Sequence, residues 1–171
     1  MKRSIQFLLA VAAALTLAAC STTKPADTST DSSVNSSSSD TEAEALARQR
    51  AAAEAERQRI ANLLNSTTIY FDYDQDTIRG EFVEMLEVHA KHMQATGKQV
   101  VLEGHADERG TPEYNLALGE RRAKAVEQML RTYGVSVEQT EVISFGEESP
   151  ASLGHSEEDF QLNRRVELKY Q

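Results

Sequence analysis

Gln99-Val100-Val101-Leu102-Glu103, then Gly104-His105-Ala106-Asp107-Glu108-Arg109-Gly110, then Thr111-Pro112-Glu113-Tyr114-Asn115 place a strand, a loop and a helix start within seventeen residues. The first five are rich in branched aliphatics, as a buried strand requires. Thr111 is a helix-capping residue, Pro112 suits the first helical position, and Glu113 sets an acid in the first turn. The helix they open runs until Gly134. The loop between strand and helix, 104–111, holds the densest cluster of polar and titratable groups in the chain.

The pattern extends in both directions from this unit. Upstream, Thr67-Thr68-Ile69-Tyr70-Phe71 is β-branched and aromatic, and reads as a strand ending in the acidic turn Asp72-Tyr73-Asp74-Gln75-Asp76. Asp76 is the expected cap of a helix whose inward stripe is Ile78, Phe82, Met85, Leu86, His89 and Met93, closed by Gly97. Downstream, residues 141–145 form a third strand, and a short helix is possible near 157–160. Residues 164–170 alternate, with Val166, Leu168 and Tyr170 on one face, as a half-buried strand does. The order is β-α-β-α-β-β, an α+β domain with its helices packed on one side of a four-stranded sheet, covering residues 66–171.

Composition divides the rest of the 171 residues. Residues 1–19 combine Lys2 and Arg3 with an apolar stretch and the small residues Ala18 and Ala19, the pattern of a secretory signal peptide. That stretch is shorter than the roughly 20 apolar residues a membrane-spanning helix needs. Residues 21–41 contain thirteen Ser or Thr and no aromatic residue. Such a segment buries too little apolar area to offset its ordering entropy, so a disordered tether is expected over 20–41. Residues 42–65 change to Ala, Glu, Arg and Gln. The pairs Glu44/Arg48, Glu54/Arg57 and Glu56/Arg59 lie at helical spacing, and a mostly solvated helical linker is expected. Leu46, Ala53 and Ile60 make one weak heptad row without a partner row, which does not specify a coiled coil.

Charge and cysteine usage exclude several functions. Eighteen basic against 27 acidic side chains give a net charge of −9. That balance opposes sequence-independent binding to nucleic acid, which needs Lys and Arg to displace counterions. The single cysteine, Cys20, rules out a disulfide framework and paired-cysteine zinc modules.

Four ordered segments carry a family resemblance over about residues 69–170. They are Phe71-Asp72, the Gly104-His105-Ala106-Asp107 loop, Asn115 with Leu118 and Arg122-Ala123, and Asn163-Arg164-Arg165. Together they resemble the peptidoglycan-associated lipoproteins of the Tol–Pal system, within the family of OmpA-like C-terminal domains. Leu17-Ala18-Ala19-Cys20 likewise resembles the bacterial lipobox, in which the cysteine thiol receives a diacylglycerol and becomes the mature N-terminus. Two or three acyl chains anchor durably where one is marginal. Ser21 after the cysteine resembles lipoproteins sorted to the outer membrane. The resemblance implies an outer-membrane lipoprotein with a periplasmic domain that binds peptidoglycan noncovalently. It also implies TolB and other Tol proteins as partners, a role in cell division, and no cofactor.

The residues suit that activity. The diaminopimelate side chain of the stem peptide ends in a zwitterion, which calls for an anionic acceptor beside a forked cationic donor. Asp107 suits the ammonium, and Arg122 suits the carboxylate. At about 100° per residue, Asn115, Leu118, Arg122, Ala125 and Met129 share one helical face, and Arg121 falls outside it. The resemblance places Phe71 and Asp72 at the pocket wall. The alternative is an Arg122–Asp107 ion pair with no ligand role. With Asp107 within a lysine's reach, Arg122→Lys is expected to spare stability and weaken binding. At least one of Asn163, Arg164 and Arg165 is expected to buttress the loop of the second long helix. An enzymatic reading draws His105, Asp107 and His155 into an iron-binding triad, or pairs Glu103, Asp107 and Glu108 as glycosidase carboxylates. The spacing is common by chance, four strands do not build an oxygenase barrel, and nothing separates the carboxylate pKa values. A binding domain, not an enzyme, is the expectation.

Overall fold

The computed structural model describes residues 37–171. The expected signal peptide, Cys20 and most of the expected tether lie outside the described residues. Helix α1 (Ser37–Asn65) opens at Ser37, inside the stretch read as tether. Extending a helix that the Ala/Glu/Arg/Gln run has nucleated is easier than starting one, so the boundary moves upstream. α1 is exposed along most of its length. Its pairs Arg48–Glu44 at 2.7 Å and Arg59–Glu56 at 3.3 Å are intrahelical. Near its end Leu63 packs against the core, and Arg59 pairs with Glu84.

The remaining elements are β1 (Thr68–Tyr70), α2 (Val83–Thr96), β2 (Val100–His105), α3 (Pro112–Thr132), β3 (Thr140–Gly146), α4 (Glu157–Asn163) and β4 (Arg165–Tyr170). The sheet order is β1-β4-β2-β3. β2 and β3 are parallel, joined by the α3 crossover that parallel neighbours require. β4 runs antiparallel to β1 and β2 and fills the centre of the sheet. The last strand in the chain thus closes the core. Val166 and Leu168 are buried there with Ile69, Val100 and Leu102, under Met85, Leu86 and Met93 of α2 and Val126 and Leu130 of α3.

Local signals explain most element ends. Gly97 takes φ +70 at the end of α2, and its N–H donates to Met93 O at 2.8 Å. Thr111 Oγ1 accepts from the Tyr114 N–H at 3.2 Å, and Pro112 opens α3. The start of α2 corrects the sequence reading. A 3₁₀ turn over Gly80–Phe82 precedes it, and Asp76 caps nothing. The carbonyls of Asp72 and Gln75 are both held by Arg122, which commits this stretch to an irregular path. α4 is the helix expected near 157–160, three residues longer, with a Ser156/Asp159 capping box.

Two glycines let α3 lie against the sheet. A Cβ on Gly104 would collide with the carbonyl of Gly119, and one on Gly119 would collide with the Ser144 hydroxyl. That hydroxyl donates to Leu116 O at 2.6 Å. The first half of α3 is therefore pressed onto the C-terminal ends of β2 and β3, where the 104–111 loop emerges.

Candidate functional site

Arg122 lies on the inward face of α3 with Asn115 and Leu118, and its side chain is fully buried. Its Nε donates to Gln75 O at 2.8 Å, Nη1 to His105 O at 2.8 Å and Nη2 to Asp72 O at 3.1 Å. The guanidinium stands 5.3 Å from the centre of the Phe71 ring. Burial pushes its pKa down to about 10, which leaves it cationic at neutral pH. Three of its five N–H groups are committed to backbone oxygens, and two remain. Arg121 points away, pairing with Asp76 at 3.5 Å on the surface. The helical-face assignment thus agrees with the structure.

Asp107 does not ion-pair with Arg122. Its Oδ2 accepts from Arg109 Nη2 at 2.6 Å and Arg164 Nη1 at 3.1 Å. Its Oδ1 accepts from the Arg109 backbone N–H at 3.1 Å and from Arg109 Nε at 3.2 Å. Burial alone would raise this carboxyl, but the hydrogen bonds from Arg109 and Arg164 hold its pKa below the ordinary carboxylate value. Arg164 also donates to Phe71 O at 3.1 Å, Glu157 at 2.7 Å and Gln161 at 2.8 Å. It buttresses the loop, the role expected of one member of its triplet. Asn163 instead ties residues 151 and 152, at 2.8 and 2.9 Å.

Asp107, Arg109 and Arg122 line one cleft with Tyr73, Asp74, Tyr114, Asn115 and Leu118. Its free volume is about 20 Å³, room for about one water. Asn115 is buried and donates to Glu147 Oε2 at 2.5 Å, tying the first turn of α3 to the loop after β3. Tyr114 donates to Asp74 across the rim. Of the six expected site residues, Asp107, Asn115, Leu118 and Arg122 line the cleft. Phe71 is a core residue beneath Arg122. Asp72 contributes its carbonyl, while its carboxylate faces solvent 3.8 Å from Arg79. Neither side chain is among those that line the cleft, because one is buried in the core and the other is turned to solvent.

The expectation that lysine replaces Arg122 without loss of stability is corrected here. An ammonium has no planar fork to serve three carbonyls, and Asp107 already has two cations. Sequence reasoning missed Arg109, Tyr73, Asp74 and Tyr114. The Asp107-x-Arg109 spacing within a tight loop was the available signal for the first.

The iron-binding constellation comes apart. His105 is buried and stacked on Phe145 at 5.4 Å, whereas His155 pairs with Glu108 at 2.7 Å on the surface. Among the described residues no three His, Cys, Asp or Glu side chains gather closely enough to hold a metal ion.

The OmpA family model matches residues 70–164, more than half of the chain. The chain belongs to the OmpA family. Within it, a peptidoglycan-associated lipoprotein of Pseudomonas aeruginosa is 54% identical over 109 residues, 64% of this chain and 65% of that protein. One from Pasteurella multocida is 51% identical over 104 residues, 60% of this chain and 69% of that protein. The match spans just under two-thirds of the Pseudomonas relative. The crystal structure of the peptidoglycan-associated lipoprotein from Burkholderia pseudomallei superposes with a TM-score of 0.63 at 40% identity, covering 64% of this chain and 93% of that one. The C-terminal domain of Helicobacter pylori MotB shares the OmpA-like fold, with a TM-score of 0.57 at 24% identity over 62% of this chain and 84% of that one.

Proposed function

We propose that the cleft binds the peptide stem of peptidoglycan noncovalently, taking the zwitterionic end of diaminopimelate. Asp107 receives the ammonium, and the two uncommitted N–H groups of Arg122 receive the carboxylate. The observation that carries this reading is the pairing of a carboxylate kept ionised with a buried guanidinium on the wall of one cleft. The three carbonyls that hold Arg122 leave it no rotamer freedom to lose on binding, which favours affinity.

The protein is anchored in the outer membrane through lipid on Cys20, with its domain in the periplasm, and it links that membrane to the wall during division. TolB and other Tol proteins are its partners on the family resemblance, and they compete with the wall for the same face. No helix among the described residues is long and apolar enough to cross a membrane.

Removal of Lys2 and Arg3 with the signal peptide leaves 16 basic against 27 acidic side chains, a net charge of −11. The wall is also anionic, so bulk attraction does not drive the interaction. Binding of the protein to purified sacculi is therefore expected to persist at about 0.3 M salt, where bulk charge effects are screened. It is also expected to be competed by free meso-diaminopimelate, with no soluble fragments released. Binding that collapses in salt and ignores diaminopimelate would overturn the proposal.

A further inference from the structure

Asp107 has no acceptor capacity to spare in the unliganded protein. Both oxygens accept two hydrogen bonds, three of the four from Arg109. The two guanidinium groups on it are not equivalent. Arg164 is buried and spreads its donors over Phe71 O, Glu157 and Gln161 as well, so it belongs to the framework. Arg109 is one-third exposed and lies between two aromatic faces, 4.1 Å from the Tyr73 ring centre and 4.4 Å from that of Phe160. Its Nη1 already reaches Glu157 Oε2 at 3.2 Å, on a carboxylate that is mostly exposed. With Arg109 in place the cleft has room for about one water, far less than an amino-acid head group.

We infer that Arg109 is a specificity-determining residue of this cleft: its guanidinium occupies the cation subsite on Asp107, and a ligand is retained only if its own ammonium replaces it. This rests on the reading of the cleft as a receptor for the zwitterionic end of a stem peptide. The exchange leaves no charge stranded. A released Arg109 keeps Glu157 and the faces of Tyr73 and Phe160. Asp107 keeps Arg164 and the Arg109 backbone N–H. A compact ammonium offers three donors to the oxygens that Arg109 vacates. A dicarboxylate without an amine has nothing to set against Arg109, so the cleft stays filled against it.

The test uses the full chain in detergent, with meso-diaminopimelate and its amine-free analogue pimelate as probes in titration calorimetry. The unsubstituted protein is expected to bind diaminopimelate and reject pimelate. Arg109→Gln is expected to bind diaminopimelate about five- to thirty-fold more tightly, because the open fraction no longer scales the intrinsic affinity. A readout on the unsubstituted chain guards against a misfolded variant: the Arg109 Nε–H proton, held by Asp107, is expected to shift and to exchange faster with water when diaminopimelate saturates the site. Weaker or unchanged binding by Arg109→Gln, or an Nε–H that stays protected at saturation, overturns the inference while leaving the wall-binding reading intact. If neither protein binds diaminopimelate or sacculi, that reading falls and takes the inference with it.

Discussion

Arg122 and Arg109 bring the same guanidinium to one cleft, the first at its floor and the second at its rim. Arg122 rises from the middle of α3 and is clamped by carbonyls from the turn after β1 and from the end of β2. Arg109 stands on the loop before α3 and is held by the side chains of Asp107 and Glu157 and by two aromatic rings. Carbonyls belong to the backbone and move only if the loops move. Side-chain partners let go by rotating. The floor is thus a preorganised cation that also holds two loops together, and the rim is a displaceable one.

The sharpest attempt to break this contrast is Arg122→Lys, with Arg121→Lys as its control. Lysine leaves at least one buried carbonyl without a donor, so unfolding stability is expected to fall by about 2–4 kcal/mol. The control stays within about 0.5 kcal/mol. Denaturant midpoints decide it. Equal midpoints for the two variants would mean that the carbonyl clamp carries no stability.

Acid separates the same two regions by pH. His105, whose carbonyl takes Arg122 Nη1, has its imidazole pKa pushed down to about 4, by burial first and then by the nearby Arg165. A histidine kept neutral in the fold contributes stability that is fully present above its unfolded pKa near 6.5. That contribution is lost as pH falls toward 4, by at most about 3 kcal/mol. Asp107 behaves differently, because its folded pKa lies below the usual carboxylate value. Its contribution is intact above the unfolded pKa of about 3.9 and disappears only as pH falls through the lower folded value. Stability measured against pH is therefore expected to decline between about 6.5 and 4 in the natural protein and to decline less steeply there in His105→Phe, where the buried His89, also pushed down by burial, still contributes. An unchanged slope in the variant would assign the loss elsewhere.

The smallest expected effect sharpens the contrast from the other side. Arg109→Gln removes a cation from Asp107 but leaves Arg164 on it, and the lost guanidinium is partly solvated. Its stability is expected to fall by no more than about 1 kcal/mol, read from thermal or denaturant unfolding. A loss comparable to that of Arg122→Lys would make the rim as structural as the floor.

What the sequence by itself determined is local. The N-cap at Thr111, the stops at Gly97 and Gly134, the strand alternation of 164–170 and the inward face of α3 are all set by neighbours a few residues apart. Periodicity and capping chemistry report such neighbours directly. The same α3 face exposed the choice of Arg122 over Arg121, and the family motifs marked Asp107. The partners of those residues were not legible. Arg122 closes on carbonyls 17, 47 and 50 residues away. A carbonyl is present at every position in the chain, so no residue pattern announces it. Arg164 meets Asp107 across 57 residues, because β4 inserts between β1 and β2. Asp76 looks like a cap in one dimension, yet α2 starts seven residues later. The tertiary structure decided that two arginines of identical chemistry differ, one bound to backbone and one to side chains. Burial and partner identity exist only once the sheet has closed.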